Sequence, residues 1–144
     1  MIITRKLQTA DKPAWTALAQ GYKAFYETTV SDAEYEATWL KLLDDNSVHC
    51  LVAELDGEVV GIAHYLFHQT TWAPCVCYLQ DLFVPVAQRG KGIARALIDA
   101  VADCAREAKA DRYYWNTKAD NFTARALYDK VAENRGFIRY DYLV

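Results

Sequence analysis

No uninterrupted apolar run in this chain approaches the ~18 residues that a membrane-spanning helix needs, so no such span is expected. The opening Met1-Ile2-Ile3-Thr4-Arg5-Lys6 has no signal-peptide core, and the expected compartment is the cytoplasm. The four cysteines, Cys50, Cys75, Cys77 and Cys104, never fall in a C-x-x-C spacing, which favours buried thiols over a metal site or disulfides. His64 and His68 have the spacing of a helical metal pair. Residues 58–68 read as a strand, however, where four residues span ~13 Å, and no metal is expected. The dinucleotide fingerprint G-x-G-x-x-G fails because Arg95 stands where its third glycine belongs, and no G-x-x-x-x-G-K-[ST] occurs anywhere. Basic charge is scarce where acid is dense. Nine of the 19 Asp and Glu residues lie between Glu27 and Glu58, with Lys41 the one Lys or Arg among them. A net charge of −3 counts against nucleic acid as a partner. The acidic stretch reads either as a solvated helical face or as one wall of a pocket for a cationic substrate.

What is present suits one domain with one core: 144 residues, 53% hydrophobic and 24% charged. Ile2 to Leu7 reads as a strand. Asp11 as N-cap, with Pro13 after it, starts a helix carrying Trp15, Leu18, Ala19, Tyr22 and Tyr26. Ser31 or Asp32 caps a second helix, which Asp44-Asp45-Asn46 ends. Val48 to Leu55 and Glu58 to Phe67 flank the hairpin signal Asp56-Gly57, and Gly61 marks a bulge or a close backbone approach. Cys75 to Val84, Arg112 to Thr117 and Ile138 to Val144 read as further strands. The central helix runs from about Gly90 to Lys109, and another from Asp120 or Asn121 to about Glu133. The order β-α-α-β-β-β-α-β-α-β predicts an α/β or α+β class, with a mixed central sheet flanked by helices.

The chemistry gathers where one strand meets the central helix. Asp81-Leu82-Phe83-Val84 ends at Pro85, and Gln88-Arg89-Gly90-Lys91-Gly92-Ile93-Ala94 leads into the amphipathic stripe Ile93, Leu97, Val101, Cys104, Ala105, Ala108. A helix start leaves N–H groups unpaired and carries partial positive charge. Two glycines permit close backbone approach, and Arg89 and Lys91 add formal charge. A phosphate ligand fits this arrangement, and an ordinary strand-to-helix turn is the alternative. Further on, Asn121, Ala124 and Tyr128 fall on one helix face. They read as an amide-binding Asn beside a small residue and a phenol, or as a cap, a packing residue and a core tyrosine.

Arg89-Gly90-Lys91-Gly92-Ile93-Ala94 resembles the R/Q-x-x-G-x-G/A signature of the GNAT N-acetyltransferase superfamily. Asn121-x-x-Ala124-x-x-Leu127-Tyr128 resembles its N-x-x-A-x-x-L-Y motif. The resemblance implies one GNAT domain over residues 1–144 with acetyl-CoA as acetyl donor. Residues 88–94 and Leu82, Phe83 and Val84 would hold the coenzyme, Asn121 and Ala124 would line its pantetheine arm, and Tyr128 would act as general acid. Tyr78-Leu79-Gln80-Asp81-Leu82-Phe83-Val84 is similar to a segment of the spermidine/spermine N-acetyltransferases. Tyr114-Trp115-Asn116-Thr117 is similar to a histone- and polyamine-acetylating branch. Two departures stand out. Gln80 replaces the glutamate of the diamine enzymes, and Gly136-Phe137 follows Tyr128 by eight residues where family members commonly have four.

The expected reaction is attack of a primary amine on the acetyl thioester. The acceptor classes left open are a small cationic amine, a polyamine and a lysine-type amine. Asp81, Glu27 and Glu34 are the candidate carboxylates for deprotonating or binding the amine, with Tyr26 and Gln80 beside them. The competing class is an acetyl-CoA-binding regulatory or interaction module with little turnover. The aromatic segment Phe137-Ile138-Arg139-Tyr140-Asp141-Tyr142 offers a surface for pairing with another chain, a homodimer.

Overall fold

A computed structural model describes residues 1–144. Strand β1 (Ile2–Lys6) leads through a 3₁₀ turn at Thr9–Asp11 into α1 (Lys12–Phe25), and α2 (Asp32–Asp44) follows. Strands β2 (His49–Leu55), β3 (Glu58–His68) and β4 (Val76–Phe83) come next, then α3 (Ile93–Glu107), β5 (Tyr113–Tyr114) and α4 (Phe122–Val131). The strands form one sheet in the order β1-β2-β3-β4-β5, antiparallel except for the parallel β4–β5 pair. This is the expected α/β domain with a mixed sheet. Its return from β4 to a parallel β5 passes through α3, as a parallel connection requires.

Helices cover both faces of the sheet. On one face, Leu51, Ala53, Ala63, Tyr65, Cys77 and Leu79 pack under Ile93, Leu97, Ile98, Val101 and Ala105 of α3. On the other, Cys50, Val52 and Ile62 pack under Trp15, Leu18 and Ala19 of α1 and Trp39 and Leu42 of α2. Period-two alternation along β2 and β3 feeds both cores. Gly61 sits where α3 comes closest. A Cβ there would lie 2.9 Å from Ile93 Cγ2 and 3.1 Å from Leu97 Cδ1, so the expected close approach is real.

One irregularity decides the chemistry of β4. His64 pairs with Asp81, but the next pair is Tyr65 with Leu79, so Gln80 is an extra residue in a β-bulge. Without it, Asp81 would share the face of Leu79 and enter the α3 core. The bulge turns Asp81 and Phe83 to the α1 face instead and leaves Leu82 against the α3 core.

Local expectations fare unevenly. Ser31 caps α2, accepting from the Glu34 N–H at 3.2 Å, and the Glu34 carboxylate accepts from the Ser31 N–H at 2.8 Å. Asp11 occupies the N-cap position of α1 but does not cap it. Its carboxylate accepts from Arg5 Nη1 at 2.7 Å, Arg5 Nη2 at 2.9 Å and the Gln8 N–H at 2.8 Å, so it ties β1 to α1. The strand over 112–117 shrinks to Tyr113–Tyr114, and the last helix ends at Val131. The strand expected over 138–144 is absent: residues 132–144 form no helix or strand. A strand exists only by pairing, and within this chain the tail meets no sheet edge. Phe137, Ile138, Tyr140, Tyr142 and Leu143 are exposed.

Candidate active site

Strands β4 and β5 touch only at Cys77–Tyr113 and Tyr78–Tyr114. Beyond Tyr78, β4 runs on to Phe83 beside β3 alone, and its other edge has no strand partner. The sheet therefore opens at the carboxyl ends of two parallel strands, where α/β folds place their ligands.

The turn after β4 stands at this opening. Gly90 has φ +76° and Gly92 φ +85°, a left-handed conformation that other residues adopt only with strain. A Cβ at Gly90 would meet nothing within 4 Å, so its backbone is open to a ligand. Gly92 is the N-cap residue of α3 and has no side chain with which to satisfy the first N–H groups. Arg89 donates from Nε to the Val84 carbonyl at 3.2 Å and lies 5.8 Å from the Phe25 ring, which fixes the turn against β4 and α1. Lys91 Nζ donates to Gln88 Oε1 at 2.8 Å. The side chains of Val84 and Ile93 are buried core, and Ala94 packs against that core, so these residues can offer a ligand only backbone. Open amides, positive dihedrals and two cations fit a pyrophosphate, and the turn thus suits a coenzyme A donor.

Across the opening, Asn121 precedes α4 and donates from Nδ2 to Thr117 Oγ1 at 3.1 Å, leaving its amide oxygen free of that bond. Ala124 and Tyr128 are half-buried on the same helix. The Tyr128 ring lies 5.4 Å from Trp115 in a T-shaped contact, and burial, helped by Tyr26, pushes its phenol above the ordinary value. Phe25, Tyr26, Lys118, Asp120 and Asn121 line a cleft of about 260 Å³, with Lys118 Nζ 5.9 Å from the Tyr26 ring.

Asp81 lies on the α1 side. Its Oδ2 is 2.9 Å from His64 Nδ1, and the Tyr22 phenol faces the same carboxylate. Burial alone would raise the Asp81 carboxyl, but the His64 hydrogen bond and charge, with the neighbouring Tyr22 phenol and the Lys23 charge, outweigh it, and the net direction is down. Burial and the adjoining Asp81 push Tyr22 well up. Tyr22 in turn packs against Tyr26 at 4.9 Å with the rings tilted by 54°, and meets Phe83 edge-on at 6.3 Å. An ionised carboxylate beside aromatic rings has the chemistry to attract a cation.

The remaining sequence candidates are dispersed. Gln80 is the exposed bulge residue. Glu27 is exposed in a left-handed conformation, φ +55°, just past α1. Glu34 is committed to capping α2. The acidic stretch does not form one wall: Glu54 bonds Arg5, Asp45 bonds Lys6 and His49, and Asp56 sits in the hairpin turn. Sequence reasoning set His64 aside, yet it touches Asp81. No spacing signal marks a pair 17 residues apart; only the strand register joins them.

Comparison with known proteins agrees with this geometry. The model of the acetyltransferase (GNAT) family matches residues 15–132. The D-amino-acid N-acetyltransferase HPA3 of Saccharomyces cerevisiae is 32% identical over 143 residues, covering 96% of this chain and 89% of that protein. The thialysine N-epsilon-acetyltransferase of Mus musculus is 32% identical over 105 residues, covering 64% of this chain and 62% of the relative. The aminoglycoside N-acetyltransferase AAC(6')-Iy, solved in complex with CoA, superposes with a TM-score of 0.87 at 18% identity, covering 99% of this chain and 95% of the other. The fold and site define an acyltransferase. The chain belongs to the GNAT acetyltransferase family: it is an N-acetyltransferase that uses acetyl-CoA as donor. None of its helices is long and apolar enough to cross a membrane.

Proposed function

We propose that the acceptor is a small primary amine carrying positive charge, bound with its ammonium against Asp81. The observation behind this reading is the ionised, half-buried Asp81 beside Tyr22, at the edge of the β4–β5 opening. Bound acetyl-CoA supplies a thioester carbonyl that a neutral amine attacks. Backbone amides of Gly90, Lys91, Gly92, Ile93 and Ala94 hold the pyrophosphate, while those of Gln88 and Arg89 are engaged by the Pro85 and Val86 carbonyls and shape the turn. The unpaired β4 edge at Leu82, Phe83 and Val84, together with Asn121 and Ala124, holds the arm that carries the acetyl group. Tyr128 Oη then gives its proton to the leaving thiolate.

An alkylammonium of pKa ~10.4 costs about 4–5 kcal/mol to deprotonate at pH 7. A carboxylate held below its usual range binds the ammonium well and takes its proton poorly. Asp81 therefore orients the amine, and the proton leaves through water or through exposed Glu27. The two curated relatives named above act, by their names, on D-amino acids and on thialysine, both amines. Lys118 in the cleft favours an acceptor that also bears a carboxylate, such as a lysine-type amino acid, over a polyamine.

Acetyl-CoA consumption with a lysine-type amino acid, the corresponding diamine and a neutral amino alcohol's hydroxyl-only analogue tests this. Amines are consumed and the alcohol is not, with kcat/KM falling as salt screens the site. Equal or better use of the alcohol overturns the reading. Tight coenzyme binding without turnover of any amine points instead to a binding module.

The reading includes the cytoplasm as compartment and a homodimer in which the exposed tail, Phe137 at 90% and Tyr142 at 90% exposure, pairs with a second copy. Sedimentation of the full chain against a chain ending at residue 136 checks the dimer: loss of association on truncation is expected, and an unchanged monomer in both rejects it.

A further inference from the structure

We propose that His64 is a positioning residue for the acceptor: fixed by Trp15 as its Nδ1–H tautomer, it holds Asp81 turned toward the incoming amine. This rests on the reading of Asp81 as the ammonium's partner. The geometry is a chain of two bonds running from the core to the site. Trp15 is 1% exposed, and its Nε1–H donates to His64 Nε2 at 3.0 Å. An indole nitrogen is a donor only, so Nε2 must be the acceptor and Nδ1 must carry the hydrogen. That hydrogen points to Asp81 Oδ2 at 2.9 Å. The tautomer is therefore set by a residue of α1 that reaches no part of the β4–β5 opening itself. The same indole packs on Trp39 at 5.5 Å and on the imidazole at 6.1 Å, so the ring can neither flip nor swing without disturbing the α1–α2 core.

The pair also depends on the bulge. Only because Gln80 is extra does Asp81 stand opposite His64 and off the α3 core. An apolar side chain at position 64 would fill the space under Trp15 without desolvating a polar ring. The imidazole's distinct contribution is a donor aimed at one carboxylate oxygen, which fixes the rotation of Asp81 and leaves its other oxygen to the amine. The groups facing this carboxylate are His64 of β3, Tyr22, Lys23 and Tyr26 of α1, Tyr78 of β4 beside Tyr22, and Cys50 of β2. Asp81 is the one carboxyl among them, so its titration can be read without a second acid.

The test combines nitrogen-15 NMR of the His64 ring with carbon-13 titration of the Asp81 carboxyl, in the wild type, His64→Leu and His64→Asn. The wild type should show the Nδ1–H tautomer. In His64→Leu the Asp81 carboxyl should titrate higher, and KM for the amine should rise about 10-fold to 100-fold, the worth of one hydrogen bond to a charged group. Acetyl-CoA affinity by calorimetry should stay unchanged. His64→Asn, whose amide N–H falls near the Nδ1 position, should recover most of both effects. An Nε2–H tautomer in the wild type, or an Asp81 titration unmoved in His64→Leu, overturns the proposal. If no amine is acetylated by the wild type, the tautomer and the titration still decide the role of His64, and only the acceptor reading falls. If His64→Leu does not fold, Trp15→Phe replaces it. Loss of the single Nδ1–H tautomer there supports the proposal, and an unchanged tautomer refutes it.

Discussion

Trp115 and Tyr128 meet in a T-shaped contact, ring centroids 5.4 Å apart at 67°, which joins α4 to the segment that follows β5. Tyr128→Phe keeps that contact and removes only the hydroxyl. We expect kcat to fall by ~10²–10⁴-fold, with acetyl-CoA affinity and Tm nearly intact. Because the phenol is raised, it stays protonated at neutral pH, and its ionisation should cause no loss of kcat below pH ~10. Wild-type kcat in the variant would reject the acid role.

Gly92 holds φ +85° at the start of α3. Valine there strains the turn by about 1–2 kcal/mol and places a branched side chain beside the amides. Gly92→Val should weaken acetyl-CoA binding at least tenfold in calorimetry while far-ultraviolet circular dichroism stays native. Unchanged affinity in a folded variant means that the pyrophosphate lies elsewhere.

Arg5 and Asp11 form a bidentate pair, and the Asp11 carboxyl is held low chiefly by the Arg5 hydrogen bonds, against its burial. A depressed carboxyl stabilises the fold fully above its unfolded value near ~3.9, and that stability is lost as pH falls through the lower folded value. Asp11→Ala should lose about 1–3 kcal/mol at pH 7, the worth of hydrogen bonds to a charged group, because the half-buried Arg5 keeps Glu54 as a partner. Its deficit should shrink as the wild type is taken toward pH 2. Denaturant curves at the two pH values check this, and a deficit independent of pH would show that packing alone was lost.

Glu34 caps α2 with Ser31 and, on this structure, spends its carboxylate there. Glu34→Ala should lower Tm and leave the amine KM at its wild-type value. A raised KM with an unchanged Tm would return Glu34 to the acceptor site.

The elements read most faithfully from sequence are those whose causes are local. Gly90, Gly92 and the stripe Ile93, Leu97, Val101 specify a turn and an amphipathic helix within some fifteen residues, because dihedral freedom and helical periodicity need no distant partner. Ser31 and Glu34 cap α2 for the same reason. Asp11 misled: it has the residue type of a cap, but the Arg5 guanidinium from β1 competes for its carboxylate and prevails, because two charge-assisted bonds outweigh one to an amide. The aromatic alternation of residues 137–143 has strand character, yet the tail pairs with no strand of the chain, and the edge strand β5 is only two residues long. His64 and Asp81 lie furthest from sequence reasoning. Each is unremarkable in its own strand, and a single slip of register would send Asp81 into the apolar core beneath α3. The bulge at Gln80 selects the register, and the indole of Trp15, arriving from another element, selects the tautomer. Both are outcomes of packing between segments far apart in the chain, so local sequence carries the turn and the helices while only the assembled sheet places the carboxylate beside its imidazole.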